Sequence, residues 1–223
     1  MVVSGVNWAS EDIANFIKIS DQRHYKGAEP ETGIFLDIGG NIGTTSIYCK
    51  KKLKSDLKYI AFEPILENAK LFAANAAING LKDIIVEQIA LSNCSREKAA
   101  MHIAHDNWGG SGMVVGAGNQ ISESGGDEIV ATITLDSYLS EHHISAKDIK
   151  YIWIDVEGHE PEVLEGAAQL YNGLAIPTCL EFNQNHYMAV GSYEKMVTML
   201  SKYFSGFFVC EQVSTGGAAA PYC

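Results

Sequence analysis

The stretch that decides the fold is Leu36-Asp37-Ile38-Gly39-Gly40-Asn41-Ile42-Gly43. It closes a buried strand predicted over 34–38 and leads into a helix predicted over 44–52. Glycines in such a turn let the backbone take left-handed angles and let a ligand approach closely, and Asn41 tolerates positive φ better than most residues. A dinucleotide fingerprint requires G-x-G-x-x-G. Because Asn41 and Thr44 replace its second and third glycines, the turn fits an NAD-dependent oxidoreductase poorly.

Short apolar runs rich in β-formers alternate with helical stretches on the C-terminal side of this turn. Alternation of this kind predicts a doubly wound, mostly parallel sheet with helices on both faces. Ala99–Ile103 and Glu128–Thr134 interrupt the pattern and predict a small antiparallel insertion, with a mobile loop over 107–126 at its tip. The core strands are predicted at 34–38, 59–63, 84–88, 151–155, 176–182 and 207–212, and the helices at 44–52, 65–78, from 135 onward, 161–170 and 193–203.

Length and charge restrict the class of protein. A chain of 223 residues predicts one domain, with an N-terminal helical lead-in over 1–32, a core over 33–213 and a tail over 214–223. The formal charge of −11 argues against a nucleic-acid partner, which would require clustered Lys and Arg. No apolar run approaches the roughly 18 residues of a membrane span, and the N-terminus lacks the pattern of a secretory signal. We therefore expect a cytoplasmic protein with reduced cysteines and no membrane partner.

Two acidic residues mark the carboxyl ends of the first two predicted strands. Glu63 lies about 20 residues after the glycine turn, the position at which an acidic side chain accepts hydrogen bonds from the ribose hydroxyls of a nucleoside. Asp37 precedes the turn and suits a cationic or amino-bearing part of a ligand. Together with the turn, Glu63-Pro64 predicts a nucleoside site at this end of the sheet.

The motifs D-I-G-G-N-I-G (37–43), F-E-P (62–64) and N-A-A-I-N-G (75–80) resemble those of class I, Rossmann-like methyltransferases that use S-adenosylmethionine (SAM). The segment Y-I-W-I-D-V-E-G-H-E-P-E-V-L-E-G-A (151–167) narrows this resemblance to the FkbM family. The likeness covers about residues 33–183. It implies methyl transfer from SAM to an oxygen of a sugar, polyketide or other small-molecule or glycan acceptor.

By position, the resemblance also assigns a cofactor site. Many methyltransferases have an acidic residue near position 88, which binds the adenine amino group. Because this chain has Gln88 there, that contact stays open. The implied cofactor-binding residues are Asp37, Gly39, Gly40, Asn41 and Gly43 at the methionine end, Glu63 and Pro64 at the ribose, Gln88, Ile89 and Ala90 at the adenine, and Asp155.

The predicted acceptor side lies where the strand order reverses, between the first strand and the strand over 151–155. His159 is the candidate general base, since imidazole titrates near neutral pH and a helix N-terminus favours its neutral form; the alternative is a polar loop histidine. Asp155 is the candidate for positioning SAM or the acceptor. Glu157 either orients the acceptor or accepts hydrogen bonds within its loop.

Four further residues are assigned to the acceptor. Glu181 and Asn183 follow the next strand, while Trp108 and Ser111 lie in the glycine-rich loop, where Trp108 offers a flat face to a sugar ring or belongs to a plain flexible loop. Asp155, Glu157, Glu181 and His186 carry atoms that could hold a divalent ion, but we expect no metal.

Several other polar residues are assigned structural rather than functional roles. Asp136 is interpreted as a helix cap, Asn79 as a helix terminator and His142-His143 as a solvated pair. We predict no seventh strand after residues 207–212, although a complete class I methyltransferase fold has one. Either the sequence is truncated, the fold lacks this strand, or a partner subunit completes the sheet; an open edge favours homodimerisation. The missing strand also keeps a second hypothesis open. In that hypothesis the chain is a SAM- or nucleoside-binding domain without turnover.

Overall fold

The structure is a computed structural model that describes residues 10–53, 56–103, 111–114, 122–123 and 126–208. In chain order its elements are α1 (Ser10–Arg23), β1 (Thr32–Ile38), α2 (Thr44–Lys52), β2 (Asp56–Phe62), α3 (Leu66–Ile78), β3 (Ile84–Glu87), β4 (Ala90–Leu91), β5 (Arg96–His102), β6 (Gly112–Met113), β7 (Glu128–Ile133), α4 (Leu135–Glu141), β8 (Ile149–Ile154), α5 (Glu160–Glu165), α6 (Ala168–Gly173), β9 (Thr178–Leu180), α7 (Gln184–Val190) and α8 (Tyr193–Tyr203).

The main sheet has the strand order β3-β2-β1-β8-β9. All four neighbouring pairs in it are parallel. The chain first steps outward from β1 to β3 and then returns to the other side of β1 with β8, so the order reverses between β1 and β8. This confirms the doubly wound α/β fold and places the ligand-binding crevice at the carboxyl ends of these two strands.

Successive side chains of β1 enter two different cores because the side chains of a strand alternate between its faces. Phe35 packs with Phe16 of α1 and with Tyr151 of β8. Leu36 and its neighbours in the sheet pack on the opposite face, in a larger core that includes residues of α4, α5, α6 and α8. Burial on both faces explains why β1 has apolar residues at the successive positions 34–36 rather than at alternate ones.

The predicted insertion is a second, four-stranded sheet with the order β4-β7-β5-β6. The antiparallel pairing of β5 with β7 confirms the sequence prediction, and β6 adds to β5 in the same sense. The two-residue strand β4 pairs parallel with β7 and makes the sheet mixed. Because β4 follows β3 after only two residues, it joins this sheet directly to the main one.

The helix predicted over 161–170 is broken into α5 and α6. Asp136 causes the break: its carboxylate accepts from the backbone N–H groups of Gln169 (2.8 Å) and Leu170 (3.1 Å), in the first turn of α6. Its own backbone N–H donates to the Gly166 carbonyl. Asp136 is thus a helix cap, as predicted, but it caps α6, whereas Thr134 caps α4. Pro161 is the second residue of α5 rather than the first.

The last third of the chain differs from the sequence prediction in two places. β9 is shorter than the strand predicted over 176–182, and α7, which was not predicted, follows it. Most of the strand predicted over 207–212 lies outside the described residues, and the domain boundaries stay a prediction. None of the helices in the described ranges is long and apolar enough to cross a membrane.

Candidate functional site

A cavity of about 500 Å³ opens at the carboxyl ends of β1, β2 and β8. One wall contains the glycine turn and Glu63, and the other contains the segment 155–159 and Glu181. The second sheet contributes an apolar part through Met101 and Met113, which sequence patterns did not point to. The lining residues at the cofactor end are Gly39, Gly40, Asn41, Thr44, Thr45, Glu63, Pro64, Ile65, Asn68 and Ala90; those at the other end are Ser111, Asp155, Val156, Glu157, His159 and Glu181.

Gly39 brings the turn against the end of β8. Its φ is +88°, and a Cβ on this residue would lie 1.8 Å from the carbonyl oxygen of Asp155. Both Gly39 and Gly40 donate from their backbone N–H groups to the Phe62 carbonyl. A side chain at this position would combine a strained φ with a direct clash, so the protein's own packing requires a glycine here.

Gly43 does not line the cavity. A Cβ on it would lie 2.3 Å from the Phe72 ring of α3, so this glycine lets the start of α2 pack closely on α3. Its predicted contact with the cofactor has no support in the geometry. Asn41, in contrast, lines the cavity and has a φ of 45°, as its tolerance of positive φ suggested.

Glu63 is fixed at the cavity wall by backbone donors. Its carboxylate accepts from the N–H groups of Asn41 (2.8 Å) and Ile65 (2.9 Å). Burial raises the pKa of Glu63 to about 7, against the lowering effect of these hydrogen bonds. The side chain is thus held in one orientation, with acceptor capacity left for hydroxyl groups of a ligand.

Asp37 lies behind the turn rather than on the cavity wall. It is fully buried, and its Oδ2 accepts from the backbone N–H (3.2 Å) and the hydroxyl (2.5 Å) of Ser46 in the first turn of α2. Burial raises its pKa to about 6. The geometry therefore supports a role in fixing α2 against β1, and direct contact with a ligand stays a prediction.

Of the residues predicted to contact adenine, Ala90 lies in the cavity wall and Gln88 does not. Ala90 is buried and lines the cavity. Gln88 is exposed and is absent from the lining. The adenine contact assigned to Gln88 is therefore not supported, and the apolar side chains of Ile65, Ala90 and Met101 are better placed for a flat base.

Three carboxylates meet at the opposite end of the cavity. Asp155, Glu157 and Glu181 each bring an oxygen within 4.8 Å of the other two. Burial, followed by the charges of Glu181 and Glu157, raises the pKa of Asp155 to about 7. Burial also raises the pKa of Glu157, whose backbone has a φ of 51°. Such a group can accept a proton near neutral pH, and its oxygens are also the ligands that a divalent cation prefers.

His159 lines the cavity but is not placed as a base. Its Nε2 lies 3.0 Å from the Ser92 hydroxyl, and its Nδ1 lies 3.6 Å from the Glu162 carboxylate. Burial lowers its pKa to about 4. The neutral form is the one predicted, but both ring nitrogens face protein groups and the pKa lies far below neutrality. The geometry therefore does not support the general-base role, which stays a prediction. His159 instead ties the start of α5 to the residue after β4.

Of the four further residues assigned to the acceptor, two lie in the cavity wall. Ser111 and Glu181 line the cavity. Asn183 does not, because its side-chain oxygen accepts from the backbone N–H of His186 and caps α7. The structure thus gives Asn183 the role of a helix cap, and its contact with the acceptor stays a prediction. Trp108 lies outside the described residues.

Comparison with known proteins identifies the family of this chain. The sequence model described as "Methyltransferase FkbM domain" matches residues 37–205. Among solved structures, the methyltransferase FkbM from Methylobacillus flagellatus KT is 13% identical with a TM-score of 0.50, and the match covers 84% of this chain and 42% of that one. The chain thus spans about two fifths of that protein's length, and at this identity the likeness shows the fold alone.

A second solved structure is a Methanococcus maripaludis protein assigned to the SAM-dependent methyltransferases. It is 13% identical with a TM-score of 0.39, and the match covers 93% of this chain and 76% of that one. A similarity this weak carries no argument. The comparison with curated proteins finds no significant match.

Proposed function

Because the chain belongs to the FkbM methyltransferase domain family, we propose that it transfers a methyl group from SAM to a hydroxyl oxygen of a sugar, glycan or small natural product. The observation that carries this proposal is a continuous cavity at the reversal point of the sheet. It joins the glycine turn and Glu63 at one end to the three carboxylates at the other. A co-substrate and an acceptor can therefore meet inside it.

The residues at the first end fit SAM. Glu63 is buried, oriented and able to accept from ribose hydroxyls, while Ile65, Ala90 and Met101 offer an apolar surface to a base. The acidic character of the cavity suits a ligand that carries a sulfonium and an ammonium group. When bound, SAM supplies an electrophilic methyl group, and a C–O bond forms on the acceptor as the S–C bond breaks.

Asp155 takes the role of general base in this proposal. It lines the cavity, and its raised pKa of about 7 makes it a better proton acceptor near neutrality than an ordinary carboxylate. The hydroxyl proton of the acceptor moves to Asp155 as the oxygen attacks. Glu157 and Glu181, which lie beside it, hold the acceptor by accepting hydrogen bonds from neighbouring hydroxyl groups.

The charge of the cavity indicates the class of acceptor. Among the described residues that line it, none is Lys or Arg, and four are acidic. The stretch 99–146, which contains the last residues of β5 and all of β6 and β7, also has no Lys or Arg. A phosphate or carboxylate near the accepting oxygen would meet only like charges. We therefore expect neutral or amine-bearing polyols rather than anionic sugars.

Calorimetric titration with SAM and then with NAD tests the first part of the proposal. Binding of SAM and not of NAD is expected, and failure to bind SAM would contradict it. The second part is tested by screening neutral, amine-bearing and anionic hydroxyl compounds with SAM labelled in its methyl group. Binding without transfer to any of them would favour a SAM-binding domain without turnover.

A further inference from the structure

Glu160 has no part in the reaction proposed above, yet it is fully buried directly beneath the carboxylate cluster. It begins α5, and its side chain folds back towards the segment that links β8 to this helix. Oε1 accepts from the backbone N–H groups of Val156 (3.1 Å) and Gly158 (3.4 Å). These two donors lie on either side of Glu157, so Glu160 fixes the backbone that carries one of the three clustered acids.

The other oxygen of Glu160 connects this segment to the next strand. Oε2 lies 2.9 Å from the hydroxyl of Tyr187 in α7, and the same hydroxyl lies 2.8 Å from the carbonyl oxygen of Glu181. Tyr187 is itself buried, with 1% of its surface exposed. Glu160 and Tyr187 therefore link the residues after β8 to the residue after β9, where the third acid lies.

Hydrogen-bond counting indicates the protonation state of this pair. The Tyr187 hydroxyl has one hydrogen and faces two acceptors. Both contacts are satisfied when Glu160 is protonated and donates to the tyrosine oxygen, while the hydroxyl donates to the Glu181 carbonyl. A protonated Glu160 agrees with the effect of burial, which raises the pKa of its carboxyl group. An amide at position 160 would reproduce the same pattern, since its NH₂ group donates and its oxygen accepts.

The backbone between the two N–H donors needs such support. Glu157 has a φ of 51° and Gly158 a φ of 91°. For a residue with a side chain, the left-handed region is strained, and such conformations persist only where the surroundings hold them. Within the described part of the chain, the N–H groups of Val156 and Gly158 donate to Glu160, so loss of its carboxylate removes this support from both.

We propose that Glu160 and Tyr187 are positioning residues, which together set the spacing of Asp155, Glu157 and Glu181 and so align the acceptor. The proposal rests on the proposed function for its effect on turnover, but the link itself is independent of that function. Neither residue touches a reactant. Their effect is transmitted through the backbone of 156–158 and of Glu181.

Four variants test the link. Tyr187→Phe removes the shared hydroxyl with little change of volume, Glu160→Ala removes every contact, and Glu160→Gln keeps the donor and acceptor pattern. Tyr171→Phe is the matched control, because this buried tyrosine loses a single hydroxyl contact, 2.9 Å from Thr178 Oγ1 at the opposite end of β9. Each variant is assayed for SAM affinity, kcat, acceptor KM and amide hydrogen exchange in peptides that cover 155–160 and 181–184.

We expect Tyr187→Phe to lower kcat by about tenfold to a hundredfold, the usual cost of a small misalignment. Its SAM affinity is expected to stay within twofold, and exchange is expected to rise in both segments. Glu160→Ala is expected to behave more severely, and Glu160→Gln to resemble the wild type. Tyr171→Phe is expected to lower the Tm without changing kcat or exchange near the cluster.

The proposal is overturned if Tyr187→Phe leaves exchange over 155–160 unchanged, or if it and Tyr171→Phe lower kcat equally. It also fails if Glu160→Gln is as impaired as Glu160→Ala. A wild-type protein that binds SAM but transfers no methyl group would defeat the proposed function alone. In that case the exchange measurements still decide whether the link exists.

Discussion

The two ends of the cavity are built in different ways. The cofactor end uses two strand-to-helix turns, 39–43 and 63–65, which belong to neighbouring parallel strands, and its key contacts are backbone hydrogen bonds such as that from Asn41 to Glu63. The acceptor end gathers side chains from the segments that follow β8 and β9, held by buried side chains such as Glu160 and Tyr187. A motif therefore identifies the first end, whereas only packing assembles the second.

The strongest test of this comparison is Gly39→Ala, because Gly39 joins the two ends. The new Cβ would lie 1.8 Å from the Asp155 carbonyl oxygen, at a φ of +88°. We expect a loss of about 3 kcal/mol or more in the free energy of unfolding and no SAM binding. Urea denaturation and calorimetry measure the two effects.

Gly80→Ala is the matched control for this variant. Its φ is +72°, but no atom lies within 4 Å of the added Cβ. Only the backbone strain remains, with an expected loss of about 1 kcal/mol. Equal losses in the two variants would show that the contact with Asp155 is unimportant.

The next largest effect is expected within the acceptor end, between Asp155 and His159. Asp155→Asn should lower kcat by about 10²–10⁴-fold, the usual contribution of a general base. His159→Gln should lower the Tm through the lost contacts with Ser92 and Glu162, but reduce kcat by less than about tenfold. Methyl-transfer rates of the two variants show which residue is the general base. A larger loss of kcat in His159→Gln than in Asp155→Asn would favour the histidine.

A smaller effect is expected at the cofactor end. Glu63→Gln should weaken SAM binding by about tenfold, since one hydrogen bond to a charged acceptor contributes about 1.5–3 kcal/mol and the amide retains part of it. Calorimetric titration measures the change. Glu67→Gln on the exposed start of α3 is the control, and an equal change in both variants would remove Glu63 from the site.

A separate effect is expected on stability as a function of pH. The Asp155 carboxyl has an ordinary pKa of 3.8 and a pKa of about 7 in the folded chain. Between about pH 4 and pH 7 the folded state retains a proton that the unfolded state has released, so this group's contribution to stability is lost as the pH rises through that window. Asp155→Asn removes the contribution, and its Tm relative to the wild type should therefore be higher at pH 8 than at pH 4.

The comparison between variant and wild type is necessary because His159 acts in the opposite direction. Its pKa falls from 6.5 to about 4 on folding. The unfolded state then binds the extra proton, and this group adds stability as the pH rises from 4 to 6.5. Both proteins share that contribution, so it cancels in the difference. A difference in Tm that does not change with pH would contradict the raised pKa of Asp155.

The assignments that the geometry does not support share one cause. Asn183 was placed after a strand as an acceptor residue, but its side-chain oxygen caps α7, a helix that the sequence did not predict. His159 was assigned as a base from the ordinary pKa of imidazole, but its burial against Ser92 changed that pKa. Caps and pKa values depend on which atoms surround a side chain, and spacing along the chain does not report them.

The sequence by itself determined the parallel α/β order, the glycine turn, the acid at the end of β2 and the family, because backbone conformation and strand burial follow from local residue type and periodicity. Only the tertiary structure decided which acids meet. Asp155, Glu157 and Glu181 lie on two different strand ends, and their oxygens come within 4.8 Å because β8 and β9 are neighbours in the sheet and Glu160 and Tyr187 link the segments that follow them. Proximity across the sheet, which no single segment encodes, gives the site its charge and its chemistry.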